Sequence, residues 1–301
     1  MTIRLRRSEL STPASSEKMM SKAAACDADL VFLDLEDAVA PSEKEGARTM
    51  AVEALNSLDW KPQTVAVRVN DAESHWAYED VITVVEGAGH KIDLLILPKV
   101  KAPRDVWFFD TLLEQIEKKL GLQKKIGLEI LIEEVEALAC VEELARCCPR
   151  LEALILGVGD LSASQGMKLG QIGGSDERYP GDIWHFARAR LVVAARAAGI
   201  DAIDGPYANF RNPDGYVRQA SWAAALGFVG KWAIHPSQIE LANQVYSPTD
   251  EEITEARNMI EEVRKAEEGG MGAANTGGVM IDAATARIFQ VIVDRAELMG
   301  R

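Results

Sequence analysis

Short apolar runs, rich in leucine and β-branched residues, recur along the chain, and charged stretches with helical apolar spacing separate them. Eight runs stand near Arg6–Leu10, Leu30–Leu35, Val65–Val69, Leu94–Leu97, Ile126–Ile132, Ala153–Leu156, Asp201–Ile203 and Gly230–Ile234. Most intervals are about thirty residues, the length of one strand–helix unit. The interval between the sixth and seventh runs holds an extra loop as well as a helix. Eight such units predict an α/β protein of the closed (β/α)8 TIM-barrel class. Ser42-Glu-Lys-Glu marks one helix start, Pro103-Arg-Asp opens an amphipathic stretch to Leu120, and Asp182 precedes a helix over Ile183–Ala198. Gly121 and Gly199 sit just past helix ends. From Ser247 the pattern changes. Ser-Pro-Thr-Asp-Glu-Glu reads as the capped start of a helix to about Glu267, a Gly-rich break follows over 269–278, and a last helix begins at about Ala283. This predicts a barrel domain over 1–246 and a helical segment over 247–301, hinged near 269–278 and acting as a lid.

Apolar residues at 48% and charged residues at 27% of 301 are ordinary for a globular protein and exclude collagen-like, disordered and membrane classes. Thirty-three Lys and Arg against 47 Asp and Glu leave a net charge of −14, the wrong sign for coating nucleic acid or anionic lipid. Neither is expected as a partner. No apolar run approaches the ~18 residues of a membrane span. The Arg-rich start leads into polar residues rather than a signal core, so a cytoplasmic location is expected. Cys26, Cys140, Cys147 and Cys148 lack any CxxC or Cys/His spacing, so they are expected to be reduced and mostly buried.

In an eightfold barrel the chemistry gathers at the carboxyl ends of the strands. The residues just past these runs are polar: Asp34-Leu-Glu-Asp37, Arg68-Val-Asn70, Pro98-Lys99, Glu133-Glu134, Gly157-Val-Gly-Asp160, Asp204 and His235-Pro236. Acids outnumber bases, which points to a divalent cation among them. Glu133 and Asp160 close neighbouring strands and can converge on one ion; two carboxylates with waters and substrate oxygens suit Mg²⁺. The plainer reading of Glu133, Glu134 and Glu136 is that they complement the dipole of the following helix. Arg68 in a barrel mouth needs an anion. Glu36 or Asp37 on the adjacent strand would serve, as would a substrate carboxylate or a developing enolate oxygen. Lys99 and Lys231 read either as Schiff-base lysines or as salt-bridged ones. His235 reads as a base or as a structural hydrogen-bonder, and His75, His90 and His185 take no role.

With these residues in place, the sequence resembles the CitE-like CoA-ester lyases of the HpcH/HpaI aldolase superfamily, and among them the malyl-CoA/β-methylmalyl-CoA lyases. The resemblance covers nearly the whole chain. Its landmarks are Arg7-Ser-x-Leu-x-x-Pro13, Leu33-Asp-Leu-Glu-Asp-Ala-Val-Ala-Pro41 followed by Lys44 and Ala47-Arg48, Val67-Arg-Val-Asn70, Leu97-Pro-Lys99 and Ile132-Glu133. Gly157-Val-Gly-Asp-Leu161, Ile172-Gly-Gly174, Asp204-Gly-Pro206 and Gly227-Phe-Val-Gly-Lys-Trp-Ala-Ile-His-Pro236 follow in order. The resemblance implies that Glu133 and Asp160 bind Mg²⁺, with Mn²⁺ as the alternative ion, and that Glu36 and Asp37 support them. It implies that Arg68 contacts the acyl carbonyl or enolate and that Lys22 touches CoA phosphates. Ile132, Gly159 and the Ile234-His235 backbone match substrate-contacting positions, and Asp282 matches a base supplied by a neighbouring subunit's C-terminal segment. The chain departs from these lyases at Ser11 and Ser16, where they carry an aromatic and a basic residue, and at Pro13-Ala-Ser15, where they read Pro-Gly-Ser. Arg4, Arg6 and Arg7 are the candidates for the missing cation.

The function this implies is Mg²⁺-dependent cleavage of a 3-hydroxyacyl-CoA, L-malyl-CoA or β-methylmalyl-CoA, to acetyl-CoA or propionyl-CoA and glyoxylate, reversible by a Claisen-type condensation. Partners would be a CoA thioester, glyoxylate or a related 2-oxo acid, and further copies of the chain in a trimer or hexamer that share the lid. Citramalyl-CoA or citryl-CoA cleavage, malyl-CoA thioester hydrolysis and a non-catalytic regulatory barrel are the rivals. Free CoA released with intact malate marks the hydrolase, and ligand binding without turnover marks the regulator.

Overall fold

The computed structural model describes residues 4–62, 64–169 and 179–301, so the Ile172-Gly-Gly174 motif lies outside the described residues. Eight parallel strands are β1 (Ser8–Pro13), β2 (Leu30–Asp34), β3 (Thr64–Arg68), β4 (Leu94–Leu97), β5 (Gly127–Ile132), β6 (Leu151–Leu156), β7 (Asp201–Asp204) and β8 (Gly230–Ala233). They pair in chain order, and β8 closes the barrel by pairing with β1. Each run expected to be a strand is one; the first starts later than expected and continues to Pro13. The helices of this unit are α1 (Glu17–Ala24), α2 (Lys44–Ser57), α3 (Ala77–Ala88), α4 (Pro103–Leu120), α5 (Val135–Ala139), α6 (Val141–Leu144), α7 (Val158–Ser164), α8 (His185–Ala198), α9 (Pro213–Leu226) and α10 (Ile239–Val245). Pro103 begins α4, and Gly121 and Gly199 end α4 and α8 in the left-handed conformation that glycine adopts without a Cβ clash.

Strand side chains alternate between the lumen and the helix layer. Phe32, Ala66, Ile96, Leu131, Ile155, Ile203 and Trp232 fill the lumen, while Leu10, Val31 and Ala233 pack outward with Ala23, Ala28 and Ile239. This parity decides what tops each strand. Asp34 and Arg68 are two residues beyond the lumenal Phe32 and Ala66, so they share the lumenal side, whereas Asp204 and Lys231 face the helices.

The chain divides into two compact units, Met1–Gln244 and Val245–Arg301. The second contains α11 (Asp250–Glu268), the antiparallel strands β9 (Ala273–Thr276) and β10 (Val279–Asp282), and α12 (Ala283–Leu298). A reciprocal cap opens α11: Glu252 N donates to Thr249 Oγ1 at 3.1 Å and Thr249 N donates to Glu252 Oε2 at 2.7 Å. Gly277 and Gly278, both at positive φ, form the tight turn between β9 and β10, so part of the Gly-rich stretch is hairpin rather than open linker. No helix among the described residues is long and apolar enough to cross a membrane. All four cysteines are free, but only Cys148 is buried; the other three are half-buried, a correction to the expectation.

At the amino end of the strands, Arg6 Nη1 meets Glu129 Oε1 at 2.5 Å, its Nη2 pairs with Glu152, and its Nε lies 3.4 Å from Asp201. Arg7 pairs with Asp29 at 2.7 Å and Arg4 with Glu152 at 2.9 Å. These arginines precede β1 and therefore sit at the floor of the barrel, opposite the mouth. None of the three is placed to hold a ligand at the carboxyl ends. Burial, reinforced by Glu152 and Asp201 against the opposing charge of Arg6, pushes the Glu129 carboxyl up to about 7. Folded Glu129 therefore keeps a proton that the unfolded chain has lost, and its contribution to stability is present below the ordinary value of 4.5 and lost as pH rises through about 7. Glu129→Gln should flatten the pH dependence of unfolding free energy between about pH 5 and about pH 7, removing a slope of up to ~1.4 kcal/mol per unit in urea titrations. Equal slopes in the two proteins would contradict the assignment.

Candidate active site

Arg68 ends β3 in register with Asp34, the last residue of β2. Its Nε donates to Asp34 Oδ1 at 2.8 Å and its Nη2 to Asp34 Oδ2 at 2.5 Å, while Nη1 stands 3.1 Å from Glu36 Oε2. The guanidinium lies over the rings of Trp232 and Phe32, 5.4 and 6.0 Å from their centroids. Burial works against its charge, yet Asp34, Glu36 and Glu133 hold it above the ordinary arginine range. Arg68 thus takes Glu36, one of its two expected partners, and Asp34, which the sequence reading passed over. Asp37 pairs with Lys99 instead.

Asp34 also shapes the loop that follows it, accepting from Glu36 N at 2.9 Å and Ala38 N at 3.2 Å. Lys99, just beyond β4, has φ 49, the one positive value at a non-glycine among the described residues. That conformation costs roughly 1–3 kcal/mol and clusters at functional sites. It aims the Lys99 N–H at Glu133 Oε1, 2.7 Å away, while the side chain reaches Glu36 and lies 3.2 Å from Asp37 Oδ1. Against the desolvation of partial burial, the hydrogen bond and charge of Glu36, then Asp37, hold the ammonium above the lysine range. Lys231 is taken too: its Nζ donates to Asp204 Oδ2 at 2.5 Å and Gly205 O at 2.6 Å, and Arg188 flanks the same aspartate at 3.0 Å. The salt-bridged reading holds for both lysines.

Glu133 follows β5 on the lumenal side and is buried. It accepts from Lys99 rather than capping α5. Burial pushes its carboxyl up to about 8, with Lys99 N–H and Arg68 pulling down and Asp160 and Glu36 adding to the rise. Asp160 lies in the first turn of α7, after the strand that neighbours β5. Gly157 makes room for Glu133: a Cβ there would stand 2.4 Å from Glu133 Cβ and 2.6 Å from its Oε2. Among the described residues no three or more His, Cys, Asp or Glu converge as a complete metal cage. Glu133 and Asp160, hard oxygen donors at the ends of neighbouring strands, fit a divalent cation whose other positions would go to water and ligand.

Ile132 is buried as the last residue of β5, and Gly159 sits half-buried beside Asp160. Ile234 N donates to Gln238 Oε1 at 2.8 Å. His235 is exposed, stacked on Phe210 at 4.6 Å and bonded through Nδ1 to Ser237 Oγ at 2.8 Å, a structural hydrogen-bonder. Lys22 is exposed in the last turn of α1. Asp282, in the second unit, caps α12, and its Oδ1 accepts from Ala284 N at 2.9 Å and Thr285 N at 3.0 Å. Those bonds, Thr285 first, hold its carboxyl below the ordinary range.

The mouth of this closed barrel gathers carboxylates around one buried arginine at the carboxyl ends of the strands, where barrel enzymes carry their chemistry. The sequence profile of the HpcH/HpaI aldolase/citrate lyase family matches residues 7–236, and that of the C–C bond lyases of the TIM-barrel fold matches residues 185–301. The L-malyl-CoA/β-methylmalyl-CoA lyase of Cereibacter sphaeroides is 40% identical over 98% of this chain and 95% of its own length. The malyl-CoA/β-methylmalyl-CoA/citramalyl-CoA lyase of Chloroflexus aurantiacus is 33% identical over 91% of this chain and 82% of its own. Among solved structures, protein CitE from Mycobacterium tuberculosis in complex with magnesium, acetoacetate and coenzyme A superposes with a TM-score of 0.77 at 26% identity, covering 96% of this chain and 97% of that one. The chain belongs to the HpcH/HpaI aldolase/citrate lyase family of CoA-ester lyases and aldolases, and it is a lyase.

Because Lys99 is held as an ammonium, it should form no imine. Borohydride treatment with pyruvate should leave the peptide containing Lys99 without a reduced adduct; an adduct mapped to Lys99 would overturn the salt-bridge assignment.

Proposed function

We propose that the protein cleaves L-malyl-CoA or β-methylmalyl-CoA to glyoxylate and acetyl-CoA or propionyl-CoA, reversibly, with Mg²⁺ held by Glu133 and Asp160. The observation that carries the reading is the acid pair Glu133 and Asp160 at the ends of neighbouring strands, in the mouth that holds the buried Arg68. The likeness to the named lyases supports the substrate class. The magnesium in the complex of the CitE neighbour supports the ion.

When bound, the cation would polarise the 2-oxo acid carbonyl and neutralise its carboxylate. The chain's own residues supply the rest. In the cleavage direction the 3-hydroxyl proton passes to solvent, the C3–O bond becomes the glyoxylate carbonyl as the C2–C3 bond breaks, and that bond's electron pair moves onto the thioester as an enolate, whose carbon then takes a proton delivered through Asp282. Arg68 has five N–H donors and gives two to Asp34, with Nη1 in ion-pair contact with Glu36. Donors not given to Asp34 are proposed to meet the developing enolate oxygen, a role worth roughly 3 kcal/mol of barrier. Asp34 and Glu36 hold the guanidinium planar and charged, and Lys99 holds Glu36 in turn. Asp282 is proposed to move the proton at the enolate carbon from a neighbouring subunit of a trimer or hexamer. Its cap keeps it ionised, as abstraction of an acetyl proton in the reverse direction requires. Lys22 and the Ile234-His235 backbone are proposed to meet the CoA portion, and the C-terminal segment is proposed to close over the site and exclude water.

Incubated with L-malyl-CoA, the purified protein should release glyoxylate and acetyl-CoA in equal amounts, and only with Mg²⁺ present. Asp160→Ala should lower kcat by about 100-fold or more. Free CoA with intact malate would replace the lyase by a thioesterase, and wild-type turnover in Asp160→Ala would remove the metal assignment.

A further inference from the structure

Two cations of the motif that follows β2, Lys44 and Arg48, take no part in the reaction as described, yet both are buried. Lys44 stands in the first turn of α2. Its Nζ donates to Leu35 O at 3.0 Å, Glu36 O at 2.9 Å and Asn70 Oδ1 at 2.6 Å, and it lies 5.1 Å from the Trp76 ring centroid. An ammonium has three N–H bonds, and all three are spent here. Asn70 Nδ2 donates to the same Leu35 carbonyl at 3.0 Å and to Asp80 Oδ2 at 2.7 Å, and Asn70 N donates to Asp80 Oδ2 at 2.9 Å. Asp80 Oδ1 in turn accepts from Arg48 Nε at 2.6 Å. The relay Arg48–Asp80–Asn70–Lys44 ties α2 and α3 to the loops after β2 and β3. It converges on two carbonyls, those of Leu35 and Glu36.

Glu36 is held at both ends. Its carbonyl is fixed by Lys44 from the helix side, and its carboxylate meets Arg68 and Lys99 on the mouth side. We infer that Lys44 is a positioning residue for the lyase reaction: through the Leu35-Glu36 backbone it sets the Glu36 carboxylate and, through that, the aim of Arg68. A neutral side chain of equal length would leave the Asn70 amide oxygen without its donor and take one of two hydrogen bonds from each carbonyl, Leu35 O keeping Asn70 Nδ2 and Glu36 O keeping Val39 N, and the loop would relax toward other donors. Displacements near 1 Å in a group that orients a reacting atom are enough to cost orders of magnitude in rate. The inference rests on the reading that Arg68 faces the enolate oxygen.

The test compares wild type, Lys44→Arg and Lys44→Met with L-malyl-CoA and Mg²⁺, alongside hydrogen exchange of the ligand-free proteins over residues 34–39. Lys44→Met should lower kcat about tenfold or more with KM within about twofold, and exchange over 34–39 should rise. Lys44→Arg, which keeps the charge but replaces a single-point donor by a planar fork, should fall between the two. A purely structural role would lower Tm while folded molecules keep the wild-type kcat, and that result overturns the inference. If Lys44→Met does not fold, Lys44→Arg decides alone: a fall in kcat of about threefold or more at unchanged KM supports it, and wild-type kcat overturns it. Wild type that turns over none of the CoA esters defeats the proposed function instead, and the exchange data still report whether Lys44 holds the loop.

Discussion

The Arg68 guanidinium sits at the top of the barrel lumen, clasped by Asp34, faced by Glu36 and seated over the rings of Trp232 and Phe32. A buried arginine without partners would cost several kcal/mol, so the fold surrounds this one with carboxylates. Those carboxylates then need partners in turn. Asp34 also binds the loop after β2, Glu36 draws in Lys99, and Lys99 turns its backbone to Glu133. The chain of compensation runs around the ends of β2 to β5 and reaches Glu133, whose carboxyl burial pushes up to about 8 against the Lys99 N–H and Arg68.

Both ends of the barrel contain buried ions, arranged to different ends. At the floor, Arg6 pairs with several carboxylates inside the structure, while burial pushes the Glu129 carboxyl up to about 7 against the charge of Arg6. At the mouth, Lys99 is held in a left-handed backbone conformation and Gly157 gives up its side chain so that Glu133 can approach. Strain and vacated space are tolerated at the mouth because the surrounding hydrogen bonds over-determine the loops.

Much of this was legible in the chain itself. Eight apolar runs announced eight strands because a barrel strand is covered on both faces, and the residues after them supplied nearly every member of the acid cluster. What escaped was partnership. Asp34 was visible as part of an acidic loop, but that it rather than Asp37 clasps Arg68 follows from the register of β2 against β3. Lys44 and Asp80 were motif and helix residues without a task until α2 and α3 brought them beside Asn70. Arg4, Arg6 and Arg7 attracted a ligand-binding role by composition and lost it by position, since residues preceding a strand lie at the opposite end from those that follow it.

The sequence by itself determined the element order, the class of barrel, the polar character of the strand ends and the capped helices of the last segment. These follow from periodicity and local chemistry within a few residues. Tertiary structure decided which charges meet, which lysines are ammonium ions locked in pairs, and which carboxyl groups burial pushes up. Those outcomes depend on strand register and on the alternation of side chains between lumen and helix layer, and a shift of one residue would send each charge to the other side.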